Sequence, residues 1–393
     1  MKHLLTIISC MMLLTACHKD DSPKEKELPE RTVIVYMAGE NNLNSFVNED
    51  LDEMKQGSKN IGNNNLVVFV DKAESQLPYI LNIKNGKTVD SVECTRDGKT
   101  SDPAFFEEIL RYAVKNYEAK SYGLVLWGHA TGWLIEKDSV AYNAMSRRKA
   151  YGGDTGNNSS SGSGKTWMNI PSMARAMKQL PHFDFIFADC CCFICAESAY
   201  ELKDVTDYLI GSPAEIPAVG APYETVVPAM MSKELFWKDI VDRYFEQTTS
   251  SGNKVPLSVV KSSEVKDFAQ ATRSILNSIY QSRETNDYYP LTGLIYYFNQ
   301  NLYDMNDFMK KYGAEGEYAS WKQALDKAVV YKRTTMKWDT DWNVIFSDFK
   351  EAEEANFGGI SMFIPQWKFQ SSYNDYIKQM GWYYAAGYAD IGW

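Results

Sequence analysis

An α/β fold with a mainly parallel central sheet is predicted by three features of this 393-residue sequence. Apolar, β-rich runs recur at residues 32–38, 66–70, 122–127 and, with Asp184 as its one charged residue, 183–188, without the polar alternation of a half-exposed strand. Strands covered on both faces read this way. Segments of helical period separate most of them. Polar or reactive residues follow several strand ends directly, which is where open α/β sheets place their sites.

Each element has its own signal. After the first strand, Gly39-Glu40-Asn41-Asn42 breaks the run and Ser45 can cap a helix carrying Phe46, Leu51 and Met54. Residues 79–83 and 88–92 flank Asn85-Gly86 and read as a hairpin at a sheet edge. Asp102-Pro103 is a cap with proline at the first helical position, followed by the stripe Phe105, Phe106, Ile109, Leu110, Ala113 and Val114. The third strand ends in Gly128-His129-Ala130-Thr131-Gly132-Trp133. Residues 136–165 then include Arg147-Arg148-Lys149 and a Gly/Ser/Asn-rich stretch at 152–164, too polar to expect order. Residues 168–180 read as a helix, 183–188 as a strand, and 207–211 as another. Beyond residue 222 the chain turns helix-rich, with amphipathic stretches at 225–247, 263–283, 305–312 and 318–331. Strands at 257–261, 291–297 and 359–364 punctuate them, and this part either adds strands to the same sheet or packs beside it.

Composition sets limits. A net charge of −10 argues against nucleic acid as a partner, because phosphate binding needs clustered Lys and Arg. Lys2 and His3 precede an apolar run at 4–14, which has the length of a signal core and is too short to span a bilayer. It closes in Leu14-Thr15-Ala16-Cys17, similar to a bacterial lipobox, with Cys17 the lipidated residue. The rival is a plain secretory signal with an incidental cysteine. Residues 1–17 are expected to be a lipoprotein signal peptide and 18–30 a flexible tether. The protein is then exported and lipid-anchored to a bacterial membrane, at the outer membrane or cell surface.

Four cysteines, Cys190, Cys191, Cys192 and Cys195, crowd the end of the 183–188 strand. Adjacent cysteines rarely satisfy disulfide geometry with each other. Zinc sites usually show two separated ligand pairs, and three consecutive side chains along an extended segment cannot all face one ion. A Cys192/Cys195 redox pair stays open. Of four histidines, His3 and His18 fall in the leader and tether, and His182 lies at the amino end of its strand. His129 shares the carboxyl rim with the cysteines. An imidazole and a thiol placed so can perform nucleophilic catalysis, with backbone N–H groups stabilising an oxyanion.

Together these stretches resemble the clostripain family of cysteine peptidases, which has a caspase- and gingipain-like fold. The likeness is carried by residues 31–44 with Asp50-Leu51-Asp52-Glu53-Met54, by 123–133, by 183–202 with 207–212, and by 359–365. The resemblance implies a caspase-like α/β/α sandwich, with a catalytic domain at 31–222 and a helix-rich region at 223–393. It implies His129 as the catalytic histidine. Asp189, Glu197, Ala199 and Tyr200 set a frame that selects Cys191 as nucleophile. Asp189 is similar to the family's acidic residue for Arg or Lys before the scissile bond, its rival role being to bond nearby backbone N–H groups. Glu215 is a weaker second candidate. The oxyanion donors are expected to be the backbone N–H groups of Ala130 and Cys191; the family usually has Gly at the first of these. Self-cleavage within 136–165 would use Arg147, Arg148, Lys149 or Lys165, whose charges could equally be incidental. Polypeptides with Arg or Lys are the expected substrates. No cofactor is expected and no metal ligand is picked out, although calcium dependence occurs in the family. The alternatives are a surface binding lipoprotein on an inactive peptidase fold and a thiol oxidoreductase.

Overall fold

Successive residues of each central strand enter two different cores. In β1 (Arg31–Gly39), Val33, Val35 and Met37 face one core while Ile34, Tyr36 and Ala38 face the other. A strand apolar on both faces has to be covered on both. The computed structural model describes residues 27–73, 77–135, 150–154, 166–282, 289–298, 302–340, 344–346, 355–366 and 373–393.

After β1 come α1 (Val47–Gly57), β2 (Asn65–Lys72), β3 (Tyr79–Lys84) and β4 (Lys87–Glu93). Then follow α2 (Pro103–Asn116), β5 (Ser121–Trp127), β6 (His129–Ala130), β7 (Tyr151–Asp154) and β8 (Thr166–Met168). Next are α3 (Ile170–Met177), β9 (Phe183–Asp189), α4 (Ala196–Leu202) and β10 (Thr206–Gly211). The remainder begins with α5 (Tyr223–Met230), α6 (Phe236–Ser250), β11 (Leu257–Lys261) and α7 (Val265–Ser282). It continues through β12 (Tyr296–Phe298), β13 (Leu302–Asp304), α8 (Met305–Tyr312), α9 (Glu315–Ala328) and β14 (Val329–Arg333). Of the later elements, β15 (Trp338–Thr340), β16 (Val344–Phe346) and β17 (Ser361–Phe363) are short.

Nine strands form one sheet in the order β14-β11-β10-β9-β5-β1-β2-β3-β4. From β10 through β2 the pairings are parallel, and β3, β4, β11 and β14 join antiparallel at the two edges. Helices α1, α5 and α6 cover one face; α2, α3 and α4 cover the other together with α7 and α9. This is the α/β/α sandwich expected, and β11 and β14 carry the sheet past residue 222.

Local chemistry explains most element ends. Asp102 caps α2 by accepting from the Ala104 N–H at 2.9 Å, with Pro103 inside the first turn. Asn85 and Gly86 both take positive φ (51° and 81°), the conformation a tight two-residue hairpin turn requires. The outer strand β4 is mostly exposed and carries Lys87, Asp90 and Glu93, charges that discourage pairing with another edge.

Four expectations are corrected. The stretch at 225–247 is two helices, interrupted where Leu235 adopts a left-handed backbone. The helical run at 318–331 stops at Ala328, and β-branched Val329 and Val330 begin β14. Ser45 does not cap α1, which follows a single 3-10 turn at Asn44–Phe46. Gly152, Gly153 and Asp154, expected within a flexible stretch, are buried in β7. That strand pairs with β6 on one side and β8 on the other. Glycine at positive φ (93° and 115°) lets the chain make this irregular pairing.

Candidate active site

Strands β5 and β9 are parallel neighbours whose last paired residues are Trp127 and Asp189. Two residues beyond each stand His129 and Cys191. With paired strands about 4.8 Å apart, the sheet brings these two residues to neighbouring strand ends at its carboxyl rim. The Gly128 N–H donates to the Asp189 carbonyl oxygen at 3.4 Å, joining the two loops at their roots.

His129 leaves the sheet to pair with Gly152 of β7, while Ala130 pairs with Tyr151. The Tyr151 hydroxyl donates to the carbonyls of Tyr36 and Trp127, each at 3.1 Å, which pins the small sheet onto the large one. Nε2 of His129 lies 3.0 Å from Oδ1 of Asn42. An amide oxygen only accepts, so this contact favours the tautomer protonated at Nε2 and basic at Nδ1.

Cys191 is half-buried, and its Sγ accepts from the Ile216 N–H at 3.5 Å. Its three neighbours are fully buried and belong to the core. Cys192 has a positive φ of 57°, a conformation that costs an L-residue about 1 kcal/mol. The surroundings hold it there. The Cys192 N–H donates to the Ala214 carbonyl at 2.8 Å and the Ile194 N–H to that of Ser212 at 3.0 Å. A Cβ on Gly132 would lie 2.8 Å from the Cys192 carbonyl oxygen, so glycine is what allows the histidine loop to approach the cysteine loop. The Cys195 Sγ donates to the Ser198 hydroxyl at 3.1 Å. Glu197 accepts from the Phe363 N–H at 2.8 Å, tying β17 behind the site.

Burial raises the Cys190, Cys192 and Cys195 thiols well above the ordinary range, and burial first among its causes pushes Cys94 up to about 11. All five cysteines from Cys94 onward are free thiols. Native-state alkylation near neutral pH, followed by peptide mass mapping, is expected to label Cys191 about 10²-fold faster than the other four. Equal labelling of Cys192 would show that the reactive thiol has been misassigned.

Asp189 faces the core under α5 and α6, as strand alternation from Phe185 and Phe187 dictates. It is 3% exposed. Its Oδ2 accepts from the Tyr223 hydroxyl at 2.7 Å and the Ala221 N–H at 3.1 Å, and its Oδ1 from the Tyr244 hydroxyl at 3.4 Å. The expected bonding to nearby backbone N–H groups is met in part, since one of the three donors is the Ala221 N–H. Burial raises the Asp189 pKa despite these donors. Asp50, bonded by the Trp127 indole N–H, is pushed up to about 8, by burial first and then by the charge on Asp189. Tyr244 also feels the charge of Cys191. Glu215 sits in the half-buried loop immediately before Ile216, close enough to act on the Cys192 thiol.

Several contributors went unassigned from sequence. Asn42 stood in a polar loop directly after a strand, a signal that could have found it. Asp50 lay in a recognised motif but was given no role. Tyr223 and Tyr244 sit on helices far along the chain and carry no local sign of contact with Asp189. Cys17, Arg147, Arg148, Lys149 and Lys165 lie outside the described residues. Among the described residues no helix is long and apolar enough to cross a membrane.

A thiol and an imidazole on adjacent carboxyl-end loops of an α/β sheet are the groups that cysteine hydrolases use. The sequence matches the clostripain family over residues 35–393, and the chain belongs to that family of cysteine peptidases. It is 23% identical over 222 residues to clostripain of Hathewaya histolytica, a match covering 50% of this chain and 41% of that protein's length. The fold is similar to a secreted C11 cysteine protease from Bacteroides thetaiotaomicron, solved with an irreversible peptide inhibitor. That likeness has a TM-score of 0.76 and 28% identity, covering 92% of this chain and 99% of the other. An inactive zymogen C11 protease from Parabacteroides distasonis is similar at a TM-score of 0.74 and 27% identity, covering 92% and 99%.

Proposed function

We propose that this chain is a clostripain-like cysteine endopeptidase that hydrolyses peptide bonds after Arg or Lys. The register of β5 against β9 carries the reading, because it sets His129 and Cys191 on neighbouring strand ends. Cys191 Sγ attacks the scissile carbonyl as its proton passes to His129. The backbone N–H groups of Ala130 and Cys191 bind the resulting oxyanion. His129 then protonates the leaving amine, and water hydrolyses the thioester with His129 as general base.

Preference for a basic residue is supported by the acids behind Cys191. Asp189 and Asp50 are buried, and the charges of Asp189 and Glu53 act on Asp50. A guanidinium or ammonium entering beside them would relieve that repulsion and gain charge-assisted bonds. Glu215 is a second acid at the edge of the site.

Maturation by cutting between the histidine and cysteine segments is part of this reading, at Arg147, Arg148, Lys149 or Lys165. The zymogen form of the Parabacteroides distasonis relative supports it. Cys17 is proposed as the lipid anchor that holds the exported protein at a membrane.

The test is to purify wild type and Cys191→Ala together and follow both the chain and its activity. Wild type is expected to yield two fragments cut between residues 136 and 165 and to hydrolyse Arg- and Lys-linked fluorogenic peptides, with Cys191→Ala single-chain and inert. Cleavage of both proteins, or of neither, would reject self-processing. No turnover of any peptide, even after trypsin treatment, would point to a binding lipoprotein instead.

A further inference from the structure

The loop between β1 and α1 carries Asn41, Asn42 and Asn44, and the proposed chemistry uses none of them. β1 and β5 are parallel neighbours, with Met37 opposite Trp127, so this loop leaves the sheet beside the histidine loop. The two start close together: a Cβ on Gly128 would lie 3.3 Å from the Ala38 carbonyl oxygen. A Cβ on Gly39 would stand 2.7 Å from Val47 and 2.8 Å from the Asp71 carbonyl oxygen. Glycine is what lets the chain turn there.

Asn41 is fully buried and binds backbone on both sides of Asn42. Its Oδ1 accepts from the Leu43 N–H at 2.9 Å, and its Nδ2 donates to the carbonyls of Ala38 at 2.8 Å and Gly153 at 3.0 Å. Its own N–H donates to the Gly39 carbonyl at 2.7 Å, and its carbonyl accepts from the Asn44 N–H at 3.1 Å. Oδ1 of Asn44 accepts from the Ala73 N–H at 2.9 Å and ties down the far end. Side-chain bonds of this kind hold a loop as a backbone turn would. Asn42 is exposed, yet its backbone is fixed from both directions.

That backbone aims one group at the active site. Oδ1 of Asn42 lies 3.0 Å from Nε2 of His129. Gly153, bonded by Asn41, adjoins Gly152, the register partner of His129. The contacts close a ring, from His129 to Asn42, along the chain to Asn41, across to Gly153 and through β7 back to His129. Trp167 of β8, opposite Gly152 in register, packs near the imidazole with ring centroids 6.3 Å apart.

We propose that Asn42 is a positioning residue for the His129–Cys191 pair, with Asn41 as the buried clasp that holds it. The Asn42 oxygen accepts the Nε2 proton, so the resting ring keeps Nδ1 unprotonated. During attack the Cys191 proton passes to Nδ1, and positive charge spreads over a ring whose Nε2–H already has an acceptor. The leaving amine then takes the Nδ1 proton, and the ring returns to the tautomer in which it started. A neutral amide orients the imidazole without the charge by which a carboxylate would favour its protonation at rest. The effect on turnover rests on the peptidase reading; the tautomer does not.

The test measures both. The full chain as Cys191→Ala, which removes self-cleavage, is labelled with ¹⁵N-histidine and its imidazole nitrogens are read by NMR at about pH 8.5, above the ordinary histidine range. Four histidines keep the spectrum simple, and His129→Gln assigns the signals of interest. His129 is expected to carry its proton on Nε2, and adding Asn42→Ala is expected to give a mixture of tautomers. Asn42→Asp, which keeps an accepting oxygen, should preserve the Nε2–H form. In the chain with Cys191 intact, Asn42→Ala should lower kcat for an Arg-linked peptide by about 10–10²-fold with little change in KM, and Asn42→Asp should recover most of it at the same pH. Asn41→Ala should lower Tm and mix the tautomers as Asn42→Ala does. A proton on Nδ1 in the parent, or unchanged nitrogen signals in Asn42→Ala, would overturn the proposal. So would an active wild type whose Asn42→Ala variant turns over at the same rate. A wild type that cleaves no peptide is a different result, and it rejects the peptidase reading itself.

Discussion

Replacing Cys191 with alanine is expected to lower kcat/KM for an Arg-linked peptide by roughly 10⁴-fold or more, because covalent catalysis loses its nucleophile outright. The thiol contributes little to packing. It is half-buried and its Sγ meets the Ile216 N–H at a long 3.5 Å. The unfolding midpoint should therefore move little. Cys190→Ala and Cys192→Ala are expected to show the opposite pattern, retaining turnover per folded molecule while losing stability, since both side chains are fully buried. Parallel measurement of kcat/KM and thermal unfolding on the three variants separates these outcomes. A Cys192 variant that folds normally and is inactive would move the nucleophile by one residue.

Asp189→Asn is expected to cost about 10²-fold in kcat/KM on Arg- and Lys-linked peptides and much less on a neutral peptide. A charge-assisted bond to the substrate cation, worth about 1.5–3 kcal/mol, becomes a neutral one of about half that, and the coulombic attraction of the buried pair is lost with it. Asparagine is the informative replacement. Alanine would strand three donors, the hydroxyls of Tyr223 and Tyr244 and the Ala221 N–H, at about 1–3 kcal/mol each, and the fold would suffer with the activity. The sign of the pH dependence follows from the raised pKa. In free enzyme the neutral carboxyl favours the folded state below the unfolded pKa near ~4, and that advantage is lost as pH rises through the folded value. The stability deficit of Asp189→Asn relative to wild type should then shrink from acidic to neutral pH. Equal loss of activity on basic and neutral peptides would remove Asp189 from specificity.

Much of the central sheet was legible because its evidence is local. A strand buried on both faces is apolar along most of its length, so β1, β2, β5 and β9 announced themselves as apolar runs, with Asp184 the one charge inside that of β9. The caps at Asp102-Pro103 and the turn at Asn85-Gly86 were equally readable, since each depends on the residue's own backbone preference. The failures share a cause as well. Val329 ends a helix and starts β14 because a sheet edge awaits it across space, at β11. Residues 151–154 look disordered by composition, yet they form a strand because His129-Ala130 on one side and Thr166–Met168 on the other offer backbone partners.

The candidate site divides along the same line. Sequence by itself determined that a histidine and a cysteine each follow a buried strand, that Asp189 stands two residues before Cys191, and that the leader resembles a lipobox. Those are properties of neighbours along the chain. Tertiary structure decided that the two strands are adjacent and in register, and that Asp189 is held by tyrosines from two distant helices. It also decided that Cys191, among its neighbouring thiols, is the one left partly exposed. Charge repulsion and burial act through space, so a run of residues cannot display them until the sheet has brought its strand ends together.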